Sequence, residues 1–252
     1  MNDKFVSTIM KNSKLTLDLV HPIYNPKKGW AEDLWFYFSA FQKPIQEEFE
    51  ITLYLVNDGS SHGIHVSEID FLKSKIQKFI YLELPINQGK GAALREAMKN
   101  CQSEFIIYTD FDYPYILENA WDMLDKLKSR ESDIVVGVRD EQYYDQLPMR
   151  RKIFSLSLKL MNYLFFPKLK VKDTQSGLKG FNQKGKSIFL KTQINAFLFD
   201  MEFLVLASKA HEVKTDWIYV QVREGVHFSS MKLKTIVTEL FNFSKIWMTS
   251  SN

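Results

Sequence analysis

Short apolar runs alternate with segments of helical periodicity through the first half of the chain. The apolar runs are rich in β-branched and aromatic residues and predict strands at residues 15–20, 51–56, 79–84, 105–109 and 133–138. Helices are predicted at residues 30–42, 91–100 and 116–130. Strands separated by helices of this length indicate right-handed crossovers and a mostly parallel sheet. The pattern therefore predicts an α/β domain whose sheet is flanked by helices.

The second half of the chain is less regular. A long helix with a broad apolar face is predicted at residues 150–166, a polar loop at 172–181, a buried helix at 199–210 and a strand at 213–222. From about residue 229, six apolar residues share one stripe of a further helix: Leu233, Ile236, Val237, Leu240, Phe243 and Trp247. We predict a single domain of residues 1–228 and an amphipathic helical tail of residues 229–252. The tail either packs on its own domain, or lies against a membrane surface or another subunit.

Composition and charge exclude several classes of protein. The chain has 252 residues, of which 45% are hydrophobic, so it can build a core without disulfides or a structural metal. The single Cys101 fits a reducing compartment, and a net charge of +3 does not indicate a nucleic-acid partner. No run approaches the roughly 20 apolar residues that span a bilayer. The charged N-terminus also lacks the centre of a signal peptide, so we expect a cytoplasmic location.

Candidate chemistry lies where predicted strands end. Asp110 and Asp112 directly follow the strand at 105–109, and such carboxylates suit Mg²⁺ or Mn²⁺, whose shells substrate phosphates usually complete. Asp58 follows the second strand, where it either binds a ligand or forms an Asx turn that holds Gly59. The Gly-rich segment 87–91 opens a helix, and a helix N-terminus favours phosphate. In such sheets ligands bind beyond the carboxyl ends of the strands.

One phosphate-binding pattern is present without its required context. Residues 180–187, GFNQKGKS, satisfy the G-x-x-x-x-G-K-[ST] pattern of a P-loop. That motif needs a buried strand before it, whereas the preceding residues 172–179, KDTQSGLK, are polar. We therefore predict no P-loop here.

Seven segments in order resemble the family-two glycosyltransferases of GT-A fold, in particular polyprenyl-phosphate (dolichol-phosphate) glucosyl- and mannosyltransferases. They are HPIYN at 21–25, VNDGS at 56–60, NQGKG at 87–91, YTDFD at 108–112, VGVR at 136–139, DTQSGLK at 173–179 and FDME at 199–202. Each segment alone is weak evidence for the resemblance, but seven segments in the expected order are specific evidence. The resemblance implies a Rossmann-like GT-A domain over roughly residues 15–225.

The resemblance also implies roles for individual residues. Four residues would surround the nucleotide sugar together with Asp110: Pro22, Tyr24, Asp58 and Lys90. Asp110 and Asp112 would hold the diphosphate through Mg²⁺ or Mn²⁺. Five residues would bind the acceptor: Arg139, Arg150, Arg151, Gln175 and Ser176. Glu202 matches a helix acid near the active centre, which gives an expected catalytic set of Asp110, Asp112, Arg139 and Glu202.

Three features depart from the family pattern. Asn57 replaces the first acid of the usual acidic pair. Residues 111–115, FDYPY, replace the commoner Asp-Leu-Gln-His-Pro continuation, so a glutamine of the metal shell is missing. The chain also lacks the membrane helices of many relatives, which weakens the argument for a lipid acceptor.

The resemblance leads us to expect an inverting hexosyltransferase that uses a UDP- or GDP-type nucleotide sugar. The expected acceptor is a polyprenyl phosphate at the cytoplasmic face of the membrane, with peripheral membrane contact. One alternative acceptor is a saccharide hydroxyl in surface polysaccharide assembly, which needs a general base such as Asp200 or Glu202. An alternative of another class is a non-catalytic nucleotide-binding or scaffold protein on the same fold. The presence of both Asp110 and Asp112 argues against it. The nucleotide base, the sugar and the oligomeric state stay open.

Overall fold

A seven-stranded sheet organises the chain, in a computed structural model that describes residues 14–145, 147–226 and 233–250. The strands of these described residues are β1 Leu15–Ile23, β2 Phe49–Asn57, β3 Phe79–Glu83, β4 Phe105–Tyr108, β5 Ile134–Arg139, β6 Lys179–Asn182 and β7 Thr215–Val220. Their order across the sheet is β3-β2-β1-β4-β6-β5-β7. Only β6 runs antiparallel to its neighbours, so the predicted mostly parallel sheet is confirmed.

Helices connect the strands and cover both faces of the sheet. They are α1 Trp30–Gln42, α2 Val66–Lys75, α3 Lys90–Asn100, α4 Leu117–Lys128, α5 Glu141–Asp145, α6 Met149–Phe165, α7 Gln183–Phe189, α8 Phe199–Lys209 and α9 Leu233–Ser250. One core lies under α1, α2 and α4 and includes Leu34 and Met123. The other lies under α3, α7 and α8 and includes Met98, Phe189 and Phe203. The sheet is buried from both sides, as the apolar strand pattern requires.

Strand β6 corrects the prediction of a loop over residues 172–181. Its sequence, KGFN, is too short and too polar for strand periodicity to reveal. A Cβ at Gly180 would lie 2.9 Å from side-chain atoms of both Met123 and Leu127, so glycine allows helix α4 to pack closely here. The antiparallel strand brings the polar residues before it, 173–178, to the functional edge of the sheet.

The C-terminal helix α9 packs against its own domain on one face. Phe243 and Ile246 are buried in the core that includes α8. The buried Glu239 carboxylate accepts hydrogen bonds from the backbone N–H groups of Phe197 at 3.2 Å and Leu198 at 3.1 Å, just before α8. Other apolar residues of the predicted stripe, Val237 and Leu240, are exposed. Ser229 and Lys232, in the predicted tail, lie outside the described residues, and the domain boundary there stays a prediction.

Candidate functional site

Three neighbouring parallel strands, β1, β2 and β4, end at one edge of the sheet. Pro22 is buried near the end of β1 and Tyr24 follows that strand with a half-exposed ring. Asp58 follows β2, and Asp110 lies two residues after β4. The strand order therefore brings the predicted donor-binding residues to one edge, where α3 also begins at Lys90.

The Asp58 carboxylate supports the Gly-rich turn through hydrogen bonds to its backbone. One carboxylate oxygen accepts the Gln88 N–H at 2.8 Å, and the other accepts the Gly89 N–H at 2.9 Å. Burial raises the pKa of Asp58 because it outweighs the opposing effect of these two hydrogen bonds. Gly89 has a φ of +101°, and a Cβ there would lie 2.5 Å from the Asn195 carbonyl oxygen. The Asp58 carboxylate therefore fixes the turn before α3, and its direct contact with a nucleotide stays a prediction.

Asn57 explains one departure from the family pattern. Its side-chain oxygen accepts the Ser60 N–H, three residues on, at 2.9 Å and so closes the turn after β2. Its amide nitrogen donates to the Tyr81 hydroxyl at 3.0 Å and to a Glu83 carboxylate oxygen at 3.1 Å. An ionised aspartate has no hydrogen to donate, so the substitution fits the acidic partner Glu83 on β3.

Lys90 and Asp110 form an ion pair in the cleft, with Nζ 2.5 Å from a carboxylate oxygen. Burial alone lowers the pKa of Lys90, but the nearby carboxylates of Asp110, Asp200 and Asp112 outweigh it and raise that pKa. Lys90 is therefore charged at neutral pH. An ammonium group next to two carboxylates suits a metal-bound diphosphate, which presents both a cation and phosphate oxygens.

Asp112 lies on the turn that closes when the Tyr113 N–H donates to the Asp110 carbonyl oxygen at 3.1 Å. Partial burial and the charge of Asp110 raise the pKa of Asp112. Among the described residues no group of three or more His, Cys, Asp or Glu side chains is arranged to hold a metal. Two carboxylates on one turn nevertheless fit Mg²⁺ or Mn²⁺, because these cations commonly take one or two protein carboxylates and the substrate phosphates.

The polar loop before β6 reaches the same carboxylates. A Cβ at Gly177 would lie 2.6 Å from an Asp110 carboxylate oxygen and 3.6 Å from Lys90 Nζ. Ser176 is buried, and its hydroxyl donates to the Tyr115 hydroxyl oxygen at 3.3 Å. Gln175 is partly exposed in this loop. The structure thus brings the predicted acceptor loop, including Gln175 and Ser176, against the predicted donor site.

Arg139 forms a buried ion pair with Asp173. Its guanidinium is buried, and Nε donates to the two Asp173 carboxylate oxygens at 3.1 Å and 2.9 Å. It also donates to the Ser155 hydroxyl at 3.1 Å. The ion pair lowers the pKa of Asp173 although burial opposes that shift. This guanidinium therefore ties β5 to the loop and to α6, and its expected contact with an acceptor phosphate stays a prediction.

The other predicted acceptor arginines begin helix α6. Arg150 is exposed and Arg151 is partly exposed, both in its first turn. Helix α6 buries Ser155, Leu158 and Asn162, and the two polar side chains bond inward, Ser155 to Arg139 and Asn162 to the Lys172 carbonyl oxygen. As a result, seven large apolar side chains of this helix face outward: Met149, Ile153, Leu156, Leu160, Tyr163, Leu164 and Phe165. An exposed apolar face that starts beside two arginines suits a lipid phosphate.

Both candidate general bases are engaged in other contacts. A Glu202 carboxylate oxygen accepts the backbone N–H groups of Gln193 and Ile194, each at 2.8 Å, and so holds the segment before α8. Asp200 is buried, lies 2.8 Å from Lys179 Nζ and accepts a hydrogen bond from the Tyr108 hydroxyl. Glu202 therefore supports the segment before α8, and the expected catalytic roles of Glu202 and Asp200 stay predictions.

Two charged residues near the site were not predicted. Lys179 is fully buried and donates to the Ser176 carbonyl oxygen at 2.6 Å as well as pairing with Asp200. Arg223 follows β7 and donates to the Asp112 carbonyl oxygen at 3.3 Å. The strand-end rule that identified Asp110 would have identified Arg223 too. Lys179 carried no such signal because its partner Asp200 is distant in sequence.

Residues of the P-loop pattern make other contacts in the structure. Gly185 packs against Phe181 and Ile134, and Lys186 is buried, with Nζ donating to the Cys101 carbonyl oxygen. The lysine of a P-loop has to reach a nucleotide phosphate instead.

Comparison with known proteins identifies the class. The sequence profile of glycosyl transferase family 2 matches residues 36–191. The chain therefore belongs to glycosyl transferase family 2 and is a glycosyltransferase, as the order of its motifs predicted.

Relatives and solved structures refine this assignment. The chain is 24% identical over 251 residues to a dolichyl-phosphate beta-glucosyltransferase of Trichomonas vaginalis, covering 95% of this chain and 77% of that protein. It is 25% identical over 204 residues to the dolichyl-phosphate beta-glucosyltransferase of Drosophila melanogaster, covering 77% and 63% respectively. The fold is similar to glucosyl-3-phosphoglycerate synthase of Mycobacterium tuberculosis crystallised with Mn²⁺ and UDP (TM-score 0.62, 15% identity, covering 94% and 78%). This likeness confirms the predicted GT-A fold.

Proposed function

We propose that this glycosyltransferase transfers a hexose, with inversion, from a nucleotide diphosphate sugar to a polyprenyl phosphate at a membrane surface. The observation that carries the proposal is the meeting of the Gly177 loop with Lys90 and Asp110 in the cleft. That contact supports a single cleft in which the acceptor and the donor would meet.

The donor assignment is supported by charge. Lys90 and the first turn of α3 present positive charge where a diphosphate would lie. Asp110 and Asp112 would hold Mg²⁺ or Mn²⁺, and the bound cation would stabilise the negative charge that develops on the departing diphosphate. The similar mycobacterial enzyme has been crystallised with UDP and with either Mn²⁺ or Mg²⁺, which makes UDP-glucose the first donor to test.

The acceptor assignment is supported by the relatives' names and by an argument about the base. An acceptor phosphate oxygen is already negatively charged at neutral pH, so it attacks the anomeric carbon without losing a proton. The bond between that carbon and the diphosphate oxygen breaks, and the nucleoside diphosphate leaves with the electron pair. A saccharide hydroxyl would instead need a general base. Asp200 and Glu202 are engaged by Lys179 and by backbone N–H groups, which favours the phosphate acceptor.

Contact with a membrane is supported by the outward apolar side chains of α6. Helix α9 continues that surface, because Phe165 lies 5.6 Å from the Trp247 ring and 5.8 Å from the Phe243 ring. Helix α6 contains four basic residues and no acidic residue, which complements an anionic bilayer: Arg150, Arg151, Lys152 and Lys159. No helix in the described ranges has the length and hydropathy needed to cross a bilayer. We propose peripheral contact at the cytoplasmic face.

A side-by-side transfer assay tests the proposal. The purified chain is given UDP-glucose with Mn²⁺, and then either a short polyprenyl phosphate or a panel of saccharides as acceptor. We expect a glucosyl phospholipid to form and the saccharides to stay unmodified. Transfer to a saccharide alone would refute the lipid-phosphate assignment. Nucleotide-sugar binding without transfer to any acceptor would favour the non-catalytic alternative.

A further inference from the structure

The turn that contains Asp110 and Asp112 adopts a backbone conformation that needs external support. Tyr113, its last residue, has a φ of +45°, in the left-handed region that large L-residues rarely occupy. Such a conformation persists only when surrounding contacts determine it. Side chains around Tyr113 therefore hold it in this conformation.

His21 holds the turn from the sheet side. Its Nδ1 lies 3.0 Å from the Thr109 carbonyl oxygen and its Nε2 lies 3.0 Å from the Tyr113 hydroxyl. A carbonyl oxygen only accepts, so Nδ1 carries the hydrogen and donates it to Thr109. The neutral ring then accepts the Tyr113 hydroxyl hydrogen at Nε2. This one buried imidazole therefore contacts the residues on both sides of the Asp110–Asp112 pair.

Arg223 and Tyr37 make further contacts with the turn. Arg223 Nε donates to the Tyr113 carbonyl oxygen at 3.2 Å, and a terminal guanidinium nitrogen donates to the Asp112 carbonyl oxygen at 3.3 Å. The guanidinium lies 4.5 Å from the centroid of the Tyr37 ring, which stacks on the Tyr113 ring at 5.6 Å. The planar fork of arginine permits both contacts at once, and lysine cannot reproduce them.

These contacts form a continuous series from His21 through Tyr113 and Tyr37 to Arg223, which we call the turn clamp. We propose that the turn clamp positions Asp110 and Asp112 so that both bind one divalent cation together with the donor diphosphate. This inference rests on the proposed function, since it takes these two carboxylates as the metal ligands. With two such ligands on one turn, the backbone of that turn determines the distance between them, so its support determines metal affinity.

The structure distinguishes this role from ordinary core packing. Two clamp members, Tyr37 and Arg223, are only partly buried, and the contacts of Arg223 with the turn go to carbonyl oxygens of the turn itself. Loss of such contacts should change how the turn presents its carboxylates more than it changes the stability of the domain. Residues that orient metal ligands typically change metal affinity by roughly 10-fold to 100-fold when they are replaced.

Direct Mn²⁺ binding in the presence of UDP tests the proposal without requiring turnover. The free Mn²⁺ signal in electron paramagnetic resonance is measured for the wild type and for Tyr113→Phe, Arg223→Met and Arg223→Lys. Tyr219→Phe is the matched control, because Tyr219 lies exposed on β7. Melting temperatures are measured for every variant, and Tyr113→Phe and Arg223→Lys carry the test if Arg223→Met does not fold.

We expect Tyr113→Phe and Arg223→Met to weaken Mn²⁺ binding by roughly 10-fold or more. Arg223→Lys should recover it only in part, and Tyr219→Phe should match the wild type. Unchanged Mn²⁺ affinity in folded clamp variants would overturn the proposal, and so would a wild type that does not bind Mn²⁺. If the wild type binds Mn²⁺ but does not glycosylate polyprenyl phosphate, the proposed acceptor fails and the clamp is still tested by the binding data.

Discussion

Gly177 passes so close to Asp110 that the site has no room for a side chain between them. A Cβ on residue 177 would lie 2.6 Å from the Asp110 carboxylate oxygen. Gly177 does not have a positive φ, so the requirement for glycine here is one of space and not of backbone conformation. Because Lys90 pairs with the other oxygen of Asp110, a shift of the carboxylate would disturb that ion pair.

Gly177→Ala should therefore impair catalysis more than folding. The added methyl group displaces the Asp110 carboxylate, and small displacements at a reacting centre reduce rates by roughly 10-fold to 100-fold. The free energy of unfolding should change by less than about 1 kcal/mol, because the atoms that move belong to a partly exposed ion pair. Transfer rates and urea unfolding of the same preparation measure both effects. Wild-type transfer by Gly177→Ala would show that the loop does not constrain Asp110.

Asp112→Asn should abolish metal-dependent transfer while the protein stays folded. The substitution removes one negative charge from the proposed metal site, where metal stabilisation is worth several kcal/mol, so we expect roughly a 100-fold or greater loss of rate. Asp122→Asn is the control, because Asp122 is an exposed aspartate on α4. Transfer is measured against Mn²⁺ concentration and in excess chelator. If Asp112→Asn were as active as Asp122→Asn, Asp112 would not be a ligand of the metal.

Arg139→Ala should destabilise the protein strongly. The substitution leaves the buried Asp173 carboxylate without its charged partner, and breaking a buried pair in this way costs roughly 3–5 kcal/mol. Arg150→Ala, at an exposed position, should change the free energy of unfolding by less than about 0.5 kcal/mol. Denaturant unfolding of the two variants gives the comparison. Equal stability would mean that the Arg139–Asp173 pair contributes little to the fold.

The same ion pair predicts a dependence of stability on pH. The folded-state pKa of Asp173 is lowered below its unfolded value, so its contribution is complete above the ordinary pKa of about 3.9. As the pH falls from there through the folded-state pKa, the unfolded chain binds the proton first and the contribution is lost. The difference in unfolding free energy between wild type and Asp173→Asn should therefore be constant near neutral pH and decrease below about pH 4. A difference that stays constant down to the acid transition would contradict this.

Local pattern predicted the strand ends well, because the apolar runs of β2 and β4 end at polar turns. Asp58, Asp110 and Lys90 accordingly lie at the predicted edge. The sequence could not predict the burial of Arg139, because its partner Asp173 is 34 residues away and only tertiary structure brings them together. The orientation of α6 could not be predicted for the same reason. Its inward face combines the polar Ser155 and Asn162 with Leu158, while apolar periodicity alone suggests that all its leucines face the core.

The outward face of α6 gives the last prediction, which concerns the membrane. If this face contacts lipid, the protein should float with vesicles of phosphatidylcholine and phosphatidylglycerol, and less with phosphatidylcholine alone. The double variant Ile153→Glu/Leu160→Glu should lose flotation, because both side chains are exposed and a carboxylate there opposes an anionic surface. Val66→Glu is the matched control, since Val66 is equally apolar and is exposed on α2.

Solution measurements on the same variants distinguish lipid from protein as the occupant of this face. Both substitutions replace exposed side chains, so the melting temperature should change little. The double variant should keep wild-type donor binding but lose transfer to polyprenyl phosphate presented in vesicles. Transfer to a short water-soluble polyprenyl phosphate should persist, because the cleft is unchanged. A wild type that ignores both kinds of vesicle but forms a dimer that the double variant cannot form would show that a second copy of the chain covers α6 instead.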